Sequence, residues 1–194
     1  MVDVKIRPYI LLNLFGLSEK DVAEALQTVE KHKDLDGIYV GGGVSVVSEE
    51  LKHLIAKLAE LVPQAYLVLN AKTSEALESL RLLAGSLQNV EIVTIVNDLN
   101  VLRSVELGRL QAGFEVLNPY PNLGKLAALG IKYLAIPSAL IRSRVVREAE
   151  ARDVKIIALN VNSPENYLKS KSLKVFAVVT EKPTIRREAE DIGF

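Results

Sequence analysis

Two apolar runs near the end of the chain, Ile156–Val161 and Val175–Val179, are separated only by residues 162–174. The intervening stretch opens on Asn162-Ser163-Pro164, with Ser163 suited to cap a helix and Pro164 to occupy its first turn. A strand–helix–strand unit of this length is a crossover between parallel strands, since antiparallel neighbours need only a short turn. Parallel strands require cover on both faces. The rest of the chain must therefore supply more strands and more helices.

It does so by alternation. Apolar, strand-like runs are expected at Tyr9–Leu14, Gly37–Val40, Ala65–Leu69, Val90–Val96, Gly113–Leu117 and Tyr133–Ile136. Between them, Val22, Ala25, Leu26 and Val29 fall on one helical face, and Leu51, Leu54, Ile55 and Leu58 repeat that spacing. Leu77, Leu80 and Ala84 follow it in part, as do Val145, Val146 and Ala149. Ser18 and Asp21 have the spacing of a capping box, with Asp in place of Glu. Eight strand–helix units point to the α/β class and a closed (β/α)8 TIM barrel, one domain spanning 1–194. Divided by eight, 194 residues leave about 24 per unit, so loops must be short and no lid domain fits. An open doubly wound sheet is the alternative. Residues 2–6 alternate ahead of Pro8 and are expected to close the barrel bottom.

Charge narrows the partners. Twenty-four basic and twenty-four acidic residues cancel, which argues against a general nucleic-acid or anionic-membrane surface. No apolar run reaches the ~18 residues of a membrane span, and the N-terminal segment lacks the uncharged core of a signal peptide. A cytoplasmic location is the expectation, with a homodimer left open. The absence of cysteine removes thiolate nucleophiles and thiolate metal sites.

In such barrels chemistry collects at the C-terminal strand ends. Those positions carry Asn13, Gly41-Gly42-Gly43, Asn70 with Lys72, Asn97-Asp98, Asn118 with Tyr120, Ser138, Asn160 with Asn162, and Thr180-Glu181-Lys182. A single asparagine there is commonly turn chemistry. A ring of neutral amides, however, can donate to and accept from a hydroxylated or phosphorylated ligand. The three glycines can present N–H groups to a phosphate or serve simply as a flexible turn. Ser163 at a helix start, with Lys182 beside it, is a candidate anion site. Asn13, Gly41, Gly42, Gly43, Asn70, Asn160, Asn162, Ser163 and Lys182 are thus ligand-binding candidates, and Lys72, Asp98 and Glu181 catalytic ones. His32 and His53 fall in or beside helical patterns, away from any strand end. Glu91 belongs at the barrel bottom, whereas Glu115, read as mid-strand, is expected to face inward and pair with Lys72.

The tail also carries a resemblance. Val161, Asn162, Pro164 and Glu165 match one motif, and Thr180 and Pro183 a second, with Glu181 in place of aspartate. Leu159 stands where tryptophan is usual, and Phe176-Ala177 where Asp-Gly is usual. These motifs resemble the closing strands of the glycerophosphodiester phosphodiesterase family. The resemblance implies a TIM barrel, a phosphodiester substrate, a divalent cation held by carboxylates, and histidines for proton transfer. Against that pattern, Asn13-Leu14-Phe15 replaces His-Arg-Gly, Tyr39 and Gly41 replace the acidic pair of the second strand, and Asn70-Ala71-Lys72 keeps only the lysine. The expectation is a degenerate barrel with no metal ligands and no cofactor, taking a small phosphorylated molecule. Three functions compete: an altered phosphate-ester enzyme, a non-catalytic binder of a phosphorylated metabolite or lipid head group, and a structural or partner-binding barrel. Ala139, Leu140 and Ile141 are the candidate patch for the last of these.

Overall fold

The apolar runs become eight parallel strands that close on one another. A computed structural model describes residues 7–193. The strands are β1 (Tyr9–Leu14), β2 (Gly37–Val44), β3 (Ala65–Ala71), β4 (Val90–Val96), β5 (Gln111–Glu115), β6 (Tyr133–Pro137), β7 (Lys155–Leu159) and β8 (Ala177–Thr180). Each is followed by a helix: α1 (Glu19–Lys31), α2 (Glu49–Leu61), α3 (Ser74–Ser86), α4 (Asn100–Arg103), α5 (Leu123–Ala128), α6 (Ser143–Glu150), α7 (Pro164–Ser172) and α8 (Ile185–Ile192). Every strand pairs with its sequence neighbours, and β1 pairs with β8 from Tyr9↔Ala177 to Leu12↔Thr180. That last pairing makes a barrel and rules out the open sheet.

Local chemistry fixes the helix starts. Ser18 and Asp21 form the expected capping box of α1, while Ser48, Thr73 and Ser163 cap α2, α3 and α7 through their hydroxyls. Alternation along the strands then divides the apolar residues into two cores. One set, including Ile10, Ile38, Leu67 and Leu134, packs outward against Leu54, Leu58, Leu77 and Leu80 of the helices. The other, including Leu11, Val68, Val93, Ala135 and Ile157, fills the barrel interior. The interior is solid rather than a pore.

Aromatic rings close the bottom. Phe176 lies 4.9 Å from Tyr9, 5.3 Å from Tyr66 and 5.4 Å from Tyr133 between ring centres. The Lys155 ammonium sits 4.9 Å above the Phe176 ring, a cation–π contact. The Tyr133 hydroxyl donates to Glu91 at 3.2 Å, so Glu91 does belong to the bottom. Burial, with Glu91 nearby, raises the Tyr66 and Tyr133 phenols well above their ordinary range. The expectation for residues 2–6 lies outside the described residues. Among the described residues no helix is long and apolar enough to cross a membrane.

Several boundaries differ from those expected, and two differences matter. β5 begins at Gln111 and ends at Glu115 rather than running from Gly113 to Leu117. β2 runs on through Gly41–Gly43 to Val44, where its pairing with β3 shifts register. Both changes alter what stands at the mouth.

Candidate functional site

The inward face of each strand can be followed up to the mouth. Leu11 leads to Asn13, Tyr39 to Gly41, Val68 to Asn70, Ile95 to Asn97 and Gly113 to Glu115. A cavity of about 230 Å³ opens among Asn13, Tyr39, Gly41, Gly42, Leu159 and Asn160.

The Asn13 Oδ1 is buried and has no hydrogen-bond partner within the protein. A buried acceptor left in that state costs about 1–3 kcal/mol. A Cβ added at Gly41 would sit 3.3 Å from that oxygen, a tight contact. Across the mouth, the Asn70 Nδ2 donates to the Asn97 Oδ1 at 2.8 Å. This bond orients both amides and leaves each with capacity to spare.

Tyr39 is buried, and its phenol is pushed up to about 12, first by burial and then by the Glu115 carboxylate. The neutral phenol is the favoured form in the folded barrel. Its stabilising contribution is therefore complete below the ordinary value of 10 and is lost as pH rises through about 12. Tyr39→Phe is expected to flatten part of the alkaline loss of stability, measured as urea midpoints across that window. Unchanged slopes would place the phenol in solvent.

Glu115 departs from expectation. It is the last residue of β5 rather than a mid-strand group, and it makes no ion pair with Lys72. The two-residue shift brings its carboxylate to the mouth beside Tyr39. Sequence reasoning missed both residues as site members, because their approach depends on register between β2 and β5 across the barrel.

The glycines also differ from a phosphate loop that runs into a helix. They extend β2, with a bulge that Gly43 permits through its φ of 74°. The Lys72 amide donates to the Val44 carbonyl at 2.9 Å. A Cβ at Gly43 would overlap the Lys72 side chain, so that chain crosses the bulge at the rim.

The other candidates are dispersed. Asp98 accepts from the Asn100 amide at 2.9 Å, forming the turn into α4. Glu181 is exposed, and its amide donates to the Asn162 Oδ1 at 2.9 Å. Asn162 thereby ties the loop after β7 to the loop after β8, aided by the Thr180 hydroxyl at 3.2 Å. Ser163 caps α7 through the Asn166 amide at 3.2 Å, and Lys182 pairs with Glu188 at 3.6 Å. Asn160, in left-handed backbone with φ 58°, ends β7 early and lines the cavity. Lys72, Asp98 and Glu181 make no hydrogen bond or ion pair with one another. Nor do Ala139, Leu140 and Ile141 form a patch, for Ile141 is buried and Leu140 packs against the core. The exposed apolar side chains at the mouth are Phe15, Val46, Leu117 and Tyr120, on the loops after β1, β2 and β5.

Among the described residues no three histidine, aspartate or glutamate side chains gather closely enough to hold a metal ion. A small hard dication needs several carboxylate or other oxygen ligands in one shell. Of the strand-end residues at the mouth, Asn13, Asn70 and Asn97 offer neutral amides and Glu115 a carboxylate.

No protein-family model and no curated protein sequence matches the chain. Solved structures do match in shape. A phosphodiesterase from Oleispira antarctica, in complex with the product sn-glycerol-3-phosphate, aligns with a TM-score of 0.71 at 12% identity, covering 95% of this chain and 97% of its own. The glycerophosphodiester phosphodiesterase of Thermotoga maritima aligns with a TM-score of 0.66 at 15% identity, over 93% and 97% of the two chains. Dihydropteroate synthase from Xanthomonas albilineans aligns less closely, with a TM-score of 0.57 at 12% identity over 96% and 91%. At such identities the likeness concerns the barrel fold alone.

Proposed function

We propose that this chain is a glycerophosphodiester phosphodiesterase-like barrel that binds a phosphate ester at its C-terminal mouth and has lost metal-dependent hydrolysis. The observation that carries the reading is the mouth cavity. It is lined by Asn13, Tyr39 and Asn160 together with the apolar Phe15, Leu159 and Val179, where a hydrolytic site would need clustered carboxylates and histidines. The bound product in the Oleispira antarctica structure supports the ligand class. In this reading Lys72, at the rim, supplies the cation for the phosphate, and Asn13, Asn70 and Asn160 orient the remainder.

Calorimetric titration of metal-stripped protein with sn-glycerol 3-phosphate tests it. Binding is expected to change less than about 2-fold when Mg²⁺ or Ca²⁺ is added. Lys72→Ala is expected to weaken it about 10-fold, equivalent to about 1.4 kcal/mol. Glycerophosphodiesters should remain intact. Stoichiometric divalent-cation binding accompanied by hydrolysis would overturn the reading.

A further inference from the structure

We infer that the opposite, N-terminal face of the barrel carries a second ligand site, one that takes an apolar α-amino acid. A cavity of about 280 Å³ opens there between the ends of α6 and α7, where β7 and β8 begin. Its inner surface is apolar, formed by Val146, Val154, Ile156, Leu173 and Val175 with the Phe176 ring. Its edge is charged. Glu150 and Asp153 stand on the α6 side, Lys174 on the α7 side, and Lys155 at the start of β7 between them.

These charges share one cavity without neutralising one another. Among the described residues, no ion pair joins either lysine to either carboxylate. Asp153 instead meets Lys132 at 3.8 Å. Lys155 is held by rings, its ammonium 4.9 Å from the centre of Phe176 and 5.5 Å from that of Tyr133. A lysine placed in this way keeps its N–H donors available to a carboxylate. A purely anionic ligand would meet Glu150 and Asp153 unfavourably, and a purely cationic one the two lysines. A zwitterion answers both sets, and an apolar body on the same molecule covers the Phe176 side of the cavity. The volume lies just below the ~300 Å³ at which drug-sized pockets begin, which suits a single amino acid. Chemistry in such barrels belongs to the other face, so this is a binding site and not a second active site.

The test removes one charge at a time, from the ligand and from the protein. The full chain is titrated with leucine, with isocaproate, which lacks the ammonium, and with isoamylamine, which lacks the carboxylate. Binding is followed by amide NMR shifts at residues 150–156 and 173–176. Leucine is expected to bind at about 1 mM or tighter. Its advantage over either analogue should be about 5-fold, the upper end for a partly exposed ion pair. Glu150→Gln is expected to weaken leucine about 5-fold while changing isocaproate by less than about 2-fold. Lys174→Gln should weaken leucine equally while leaving isoamylamine within about 2-fold. Both side chains are exposed, so an unchanged thermal midpoint is expected for each variant. Either analogue binding as tightly as leucine would overturn the zwitterion assignment. Leucine affinity that survives both substitutions would overturn the assignment to this cavity. Absence of saturable shifts with leucine would overturn the site outright, and the phosphate-ester reading of the mouth stands apart from all three results.

Discussion

Gly37→Ala is expected to destabilise the barrel by at least about 4 kcal/mol, or to prevent its folding outright. Gly37 opens β2 and pairs with Tyr66 of β3. A Cβ at that position would overlap the Tyr66 carbonyl oxygen and lie 2.7 Å from its carbonyl carbon. Ordinary overpacking costs about 1–3 kcal/mol, because side chains can move aside. Here the obstacle is main chain held in the ladder, and the Tyr66 amide itself donates to the Asp36 backbone carbonyl at 3.0 Å. Relief requires β2 and β3 to part at the barrel bottom. The measurement is the urea midpoint of the soluble variant, together with its yield from the soluble fraction. A loss below about 1 kcal/mol would mean that the two strands do not approach as described.

Phe176→Ala is expected to cost about 3 kcal/mol, the lower end for a large aromatic because the ring is not fully buried. Its partners are named and close: Tyr9, Tyr66 and Tyr133 surround it, with the Lys155 ammonium above. Aromatic pairs of this geometry add about 0.5–1.5 kcal/mol beyond area alone. For a chain of this size, 1 kcal/mol shifts the thermal midpoint by about 2–4 °C, so a fall of roughly 6–12 °C is expected. Phe176→Leu keeps most of the volume and should cost less than about 1.5 kcal/mol. A loss below about 1 kcal/mol from Phe176→Ala would show that the rings do not act as a stack. The ligand affinity at the opposite face should be unchanged in either variant.

The fold was legible because its main signal is local. Runs such as Val90–Val96 are apolar along both faces, and periodic faces such as Val22, Ala25 and Val29 separate them. A closed ring is then the arrangement that leaves no unpaired edge. Strand ends were less legible. Gly113–Leu117 contains apolar residues at its far end, yet Val116 is buried beyond the strand and Leu117 is exposed. The ladder itself ends just past Glu115, where the Val116 amide donates to the Ala135 carbonyl at 2.8 Å, so reading the strand through Leu117 set Glu115 two positions too far inside. The glycines misled in the opposite sense. Glycine marks turns in most contexts, but in β2 it supports a bulge within a continuing strand.

The site was harder to read for a related reason. Asn13, Asn70 and Asn160 could be placed at the mouth because each follows an apolar run. That Asn13 lacks a partner, that Asn70 is tied to Asn97, and that Tyr39 approaches Glu115 depends on inter-strand geometry that spacing does not encode. Asn162 and Ser163 were equally conspicuous in the sequence. The structure occupies both with joining loops and capping α7.

The seam between β1 and β8 also has a mechanical consequence. Drawn apart by force along the chain, β1 would be pulled from its Tyr9 end and β8 from its Thr180 end once α8 had peeled away. Because the strands are parallel, these pulls are opposed and load the rungs from Tyr9↔Ala177 to Leu12↔Thr180 together, in shear. The barrel is thus a clamp rather than a zipper. Its first and last strands are joined by the bonds that must fail together before either end can extend.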